Sequence, residues 1–407
     1  LGFLFIILVP GALIMLMMKI REVGFWEYLV YTIGLSVAFI MFAGLAVNWI
    51  LPWLMITSKP LQLKFILPIF DMILLVFWMI AYKINQDLSE IKLKIPQLDW
   101  INNIFFTIPI LFPFMAVTGA FLLNNHGTNI VTMVMLGGIA LYVLLVVIFR
   151  KRLNPNIYPW AIWMISISLL LASSMRSWYV GGPDISLEYW VFQLTKEKVF
   201  WSISNFNNAY NVMLSLNIFP TTLSYFINVN NQFIFKLFIP IVFSIISLII
   251  YLISRKKLSF LLSFFAGLLF LSSPDFINWY SIPIRQEIAF LFFSLMILVL
   301  FSKEINPEIR NMFFVIFGFS MIVSHYSTAY IALAIFLLAY IFTLIYKWYE
   351  NRKIKKVKLK PSEKQEFHLT STIILLLFVF GFLWYSQVSD VASGPISFIK
   401  NSFSNIG

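Results

Sequence analysis

Apolar runs of about bilayer length alternate with short polar breaks along the whole chain. Read as helices, the runs fall at about 1–18, 29–51, 61–82, 101–123, 129–149, 160–175, 232–253, 259–273, 287–302, 311–324, 327–346 and 369–386. A helix rises about 1.5 Å per residue, so roughly 20 apolar residues cross the hydrocarbon. The runs at 259–273 and 311–324 are short by that measure. The pattern predicts an all-α polytopic membrane protein of about twelve transmembrane helices. One break is long, from Arg176 to Asn231. Within it, Val191–Phe200 and Tyr210–Phe226 are apolar stretches cut by Asn and Ser. With Trp190, Trp201, Tyr210 and Tyr225, they suit helices in the membrane interface. The other reading is a structured loop packed on the bundle, and the two are compatible.

Charge orients these elements. Charged residues make up 11% of the chain and hydrophobic residues 61%, which leaves no soluble domain of any size. If the runs alternate in direction, 21 of the 29 Lys and Arg lie on one set of loops. The positive-inside rule puts that set in the cytoplasm. The densest cluster, Lys347 to Lys364, reads as a loop held near anionic head groups. It lacks the aromatic interleaving of a nucleic-acid site, so the net charge of +12 implies no nucleic-acid partner. With no Cys, disulfides, thiolate metal sites and Cys nucleophiles are excluded. No phosphate-binding glycine loop, HExxH or GxSxG occurs, which argues against soluble nucleotide chemistry. Leu1 lies inside an apolar run, as expected for a piece of a longer protein. Asn154-Pro155-Asn156 marks a boundary between a five-helix module, 1–155, and a seven-helix module, 156–407, whose external loop spans 176–231.

The candidate chemistry lies on the other, acid-poor face. Gly181-Gly182-Pro183 turns the chain out of the sixth helix, and Asp184 follows, with Glu188 one helical turn on. Asp184 can cap a helix starting at Ile185, or act as a general base or metal-binding acid at the lip of a membrane cavity. The next loop on that face holds Asp275, Arg285 and Glu287. Arg285 can hold a phosphate through two N–H groups, or only neutralise a neighbouring acid. His325, one of three histidines, sits in a short turn among hydroxyl residues, where it can donate to a phosphate or an acceptor hydroxyl. Asp71, alone in the third apolar run, is expected to be buried and can mark an ion path.

The order and sidedness of the last seven helices resemble the GT-C superfamily of integral-membrane glycosyltransferases. Val9-Pro10-Gly11 and Gly34-Leu35-Ser36 are similar to N-terminal segments of multi-spanning archaeal relatives. The chain has no DxD pair and no WWDYG-like sequence. The resemblance implies transfer of a sugar from a polyprenyl-phosphate-linked donor to an acceptor on the extracytoplasmic face of the cell membrane. Asp184 would be catalytic, and Glu188, Asp275, Arg285, Glu287 and His325 would bind substrate. A divalent metal and the acceptor's identity stay open. Two other readings stand beside it: a transporter or flippase of lipid-linked saccharide, and a non-catalytic assembly subunit.

Overall fold

The computed structural model describes residues 1–86, 99–274, 276, 284–357 and 369–388. Asp275, Asp390 and the end of the basic run lie outside these residues. Among the described residues there are helices and no strands. Fourteen α-helices organise the described residues: α1 (Gly2–Met17), α2 (Phe25–Trp53), α3 (Leu63–Ile84), α4 (Trp100–His126), α5 (Ile130–Phe149), α6 (Ile157–Ser174), α7 (Pro183–Lys198), α8 (Ile218–Ile227), α9 (Asn231–Arg255), α10 (Phe260–Leu271), α11 (Ile284–Phe301), α12 (Pro307–Ile322), α13 (Tyr326–Val357) and α14 (Ser371–Leu383). Every one of the twelve apolar runs is occupied by helix. Among the described residues, seven helices are long and apolar enough to cross a membrane: α2 to α6, α9, and α13 over Tyr326–Tyr349. The chain is a helical membrane protein.

Helix α2 is the centre of the bundle. It packs against α1, α3, α8, α9, α11 and α12, so helices on the two sides of residue 155 share one core. Small residues let these helices approach closely, as is usual where lipid supplies no hydrophobic drive. Gly11 of α1 lies against the Thr32 carbonyl of α2, and its N–H donates to Ser36 Oγ at 2.8 Å. Gly44 faces Ile218 of α8 in the same way.

An ionic cluster ties the end of the bundle where α2 begins. Lys256, after α9, reaches Glu27 Oε1 at 2.5 Å and Glu304 Oε2 at 3.1 Å. Ser302 Oγ donates to Glu27 Oε2 at 3.3 Å and lies 2.7 Å from the Tyr31 hydroxyl. The cluster joins α2 to the loops after α9 and α11.

The long loop is structured, and much of it is interior rather than interfacial. Residues 211–224 are buried throughout. Asn48 of α2 fixes this segment by two reciprocal bonds. Its Nδ2 donates to the Trp201 carbonyl and its Oδ1 accepts from Trp201 N–H, both at 2.9 Å. Trp201 Nε1 then donates to the Asn211 carbonyl at 2.8 Å. Further on, Leu214 N–H donates to the Val323 carbonyl at 2.8 Å, which docks the loop beside the α12–α13 turn.

Helix α3 departs from expectation. Its buried stripe is Ile66, Phe70, Leu74 and Ala81. Asp71 lies on the exposed side instead, with Leu75, Trp78 and Tyr82. The sequence marks α3 as apolar nearly all round, so it could not show which side met the bundle.

A Cβ on Gly11 would sit 1.9 Å from the Thr32 oxygen, so Gly11→Val must push α1 off α2. We expect a loss of about 1–3 kcal/mol of stability, read as a lower unfolding midpoint in detergent. Gly24→Ala, where a Cβ would meet nothing within 4 Å, should leave the midpoint nearly unchanged.

Candidate functional site

The turn before α7 sets the position of Asp184. Gly182 has φ 139° and ψ 159°, a conformation open essentially to glycine alone. That turn lets Pro183 start the helix, where its missing N–H costs nothing. Asp184 is therefore the second residue of α7 and not its cap. Gly182 occupies the cap position and makes no side-chain cap bond. The Asp184 carboxylate is engaged by Arg285 instead.

Arg285 stands in the first turn of α11 and is nearly buried. Its Nη2 donates to Asp184 Oδ2 at 3.1 Å, and its Nε lies 3.4 Å from Glu188 Oε1. The i, i+4 spacing on α7 thus presents two carboxylates to one guanidinium. The Arg285 Cζ sits 3.8 Å from the centre of the Tyr210 ring, and the Tyr210 hydroxyl donates to Asp184 Oδ1 at 3.2 Å. Stacking on an aromatic face and pairing with carboxylates are what a partly desolvated guanidinium does well. Asp184 keeps its side chain 54% exposed, whereas Glu188 is fully buried. The pair thus has one open end. Burial pushes the Tyr210 phenol up, and the Arg285 charge opposes that shift.

His325 belongs to the same neighbourhood. Its Nδ1 lies 2.8 Å from Thr328 Oγ1. Its pKa is lowered from the ordinary 6.5 to about 4: burial is the largest cause, the Arg285 charge adds to it, and Asp184 partly offsets both. The imidazole is neutral at neutral pH and can donate only one N–H. Glu287 is buried on α11, within electrostatic reach of Glu188. Asp275 lies outside the described residues. Among those residues, no three acids or histidines are arranged to hold a metal ion.

Two contributors were not visible as such in the sequence. Tyr210 reads as one aromatic of an interfacial stretch, yet it floors the guanidinium. Lys236 of α9 reads as a base near a helix end. It is buried, and its Nζ donates to the carbonyls of Arg176 at 2.9 Å and Tyr179 at 3.1 Å. That clamp holds the strand of chain leading into the Gly181-Gly182 turn. A lysine within an otherwise apolar helix was the available signal.

The fold and its apolar helices define a polytopic helical membrane protein. Residues 310–406 match a family model described as "Predicted membrane protein (DUF2206)". That segment contains His325 and not Asp184 or Arg285. No curated protein and no solved structure matches the chain.

The His325 environment is open to titration by NMR of labelled imidazole. The midpoint should lie near 4 in the native chain. Arg285→Gln removes a repelling cation and should raise it. Asp184→Asn removes an attracting anion and should lower it. Midpoints that stay put in both variants would show that the three groups are not neighbours.

Proposed function

We propose that this protein transfers a sugar from a polyprenyl-phosphate-linked donor to an acceptor at the extracytoplasmic face, as an enzyme of the GT-C type. The observation that carries this proposal is the exposed Asp184 carboxylate held 3.1 Å from the nearly buried Arg285, with His325 in electrostatic reach of both. Asp184 stands at the head of the first long loop of a seven-helix module, residues 156–407. The twelve helices are taken to alternate in direction, with the basic loops in the cytoplasm and the five helices of 1–155 preceding the module.

The chemistry follows from the donors and acceptors in place. The donor's phosphate brings negative charge to the Arg285 guanidinium. Arg285 Nη1 is buried and has no hydrogen-bond partner among the described residues, a donor that a phosphate oxygen entering the site would satisfy. As the phosphate takes a share of Arg285, its hold on Asp184 loosens. The acceptor hydroxyl then gives its proton to the Asp184 carboxylate while its oxygen bonds to the anomeric carbon. The bond from that carbon to the phosphate oxygen breaks, and polyprenyl phosphate leaves with the electron pair. Arg285 and one N–H of His325 stabilise the charge that develops on it. Glu188 keeps Arg285 in place throughout.

Transport of a lipid-linked saccharide drew on the five helices that precede the seven-helix module and on Asp71 as an ion-path residue. Asp71 lies on the outward side of α3, so no specific observation favours that reading.

The test is transfer of a labelled sugar from lipid carrier to acceptor in vesicles reconstituted with the full chain. Asp184→Asn should lower turnover by roughly 10²- to 10⁴-fold, with little effect on donor KM. Arg285→Gln should raise donor KM as well. Unchanged turnover in Asp184→Asn would sink the assignment of the base.

A further inference from the structure

The end of the bundle where α2 begins holds a cavity of about 450 Å³. It lies between the turn that joins α1 to α2 and the turn that joins α11 to α12. Lys19, Arg21 and Lys303 line it, against Glu22 and Glu304. Glu304 is already bonded to Lys256, at 3.1 Å. Lys19 and Lys303 are exposed, and their side chains take part in no hydrogen bond or ion pair among the described residues. Arg21 is held in place: its Nη2 donates to Asn85 Oδ1 at 2.6 Å, and Asn85 Nδ2 donates to the Leu16 carbonyl at 3.0 Å. Lys19 also stands at a backbone cost. It follows the end of α1 with φ 53°, the left-handed conformation for which glycine is the usual choice.

Three cations converge on this cavity from two turns that are far apart in sequence. We propose that it binds a phosphate monoester, the head group of a membrane lipid or a soluble phosphate ester. A monoester carries a charge of about −1.5 to −2 near pH 7 and three acceptor oxygens, which suits a group of cations better than the single charge of a diester. The volume is in the range of small-molecule pockets, about 300–1,000 Å³, so an organic body fits beside the phosphate. The buried Ile20 and Ile305 in the lining give that body an apolar surface. Basic pockets at the ends of spanning helices are suited to lipid head groups. The ligand ties the α1–α2 turn to the α11–α12 turn, and so joins the parts of the chain on either side of residue 155. The inference does not rest on the chemistry assigned to Asp184.

The full chain in nonionic detergent is titrated by calorimetry with dioctanoyl phosphatidic acid, with glycerol 3-phosphate, and with dioctanoyl phosphatidylcholine as the control. Phosphatidic acid should bind and raise the unfolding midpoint, and phosphatidylcholine should do neither. Glycerol 3-phosphate binding as tightly as phosphatidic acid identifies a soluble ester as the ligand; much weaker binding identifies a lipid head group. Lys303→Gln should weaken binding by roughly tenfold, the loss of one charge-assisted bond. Lys19→Gly should weaken it as much while the free protein unfolds at the same or a higher midpoint, because glycine relieves the left-handed turn. Lys151→Gln, an exposed lysine outside the cavity, should bind like the native chain. Three results would overturn the proposal: no binding of either monoester, unchanged affinity in both Lys19→Gly and Lys303→Gln, or an equal loss in Lys151→Gln.

Discussion

A guanidinium removed from water must find acceptors, and that requirement organises one end of this molecule. Arg285 is nearly buried at the start of α11. Its neighbours are two carboxylates from α7, one turn apart, and the face of Tyr210. Removing a partner from such a group leaves an uncompensated charge, which typically costs about 3–5 kcal/mol. Helix α7 is therefore not free to lie anywhere along the membrane surface. It must present Asp184 and Glu188 to Arg285, and the preceding Gly182 turn and Lys236 clamp make that pose reachable.

The remaining anchors of the long loop are neutral. Asn48 mimics a strand partner for Trp201, and Trp201 in turn holds Asn211. Leu214 bonds to Val323, two residues before His325. Through these bonds, α2, the loop and the α12–α13 turn converge on one place. At the opposite end, the Glu27, Lys256 and Glu304 cluster fastens the same helix α2 to the later helices. Both ends of α2 are thus pinned by polar groups, while glycines set the spacing between helices along its length.

Helices were legible because hydrophobic run length is a local property. All twelve apolar runs hold helix, with ends shifted by a few residues where caps and proline intervene. The acid pair of α7 was legible for the same reason, since i, i+4 spacing is local. Its shared partner was not, because Arg285 is 101 residues from Asp184. The expected cap role of Asp184 failed on backbone geometry: Gly182 adopts a conformation that starts the helix two residues before Ile185. Asn48, Glu27 and Tyr210 gave no distinctive pattern, and Lys236 only that of a lysine in an apolar helix. Each is a lone polar or aromatic group in apolar surroundings, and only tertiary packing shows what it holds. For Asp71, depth along the helix was legible in the sequence but direction was not.

The Asn48 bonds bear on the order in which the protein is made. Synthesis delivers α2 long before residue 201, so the Asn48 amide enters the membrane without the backbone it will later bind. An amide in hydrocarbon is tolerated for that interval because a helix of this length and apolarity still partitions inward. When the loop emerges, it meets a template already in place. Its docking is then a folding step on a preformed surface, guided by a waiting donor and acceptor rather than by the loop's own propensities.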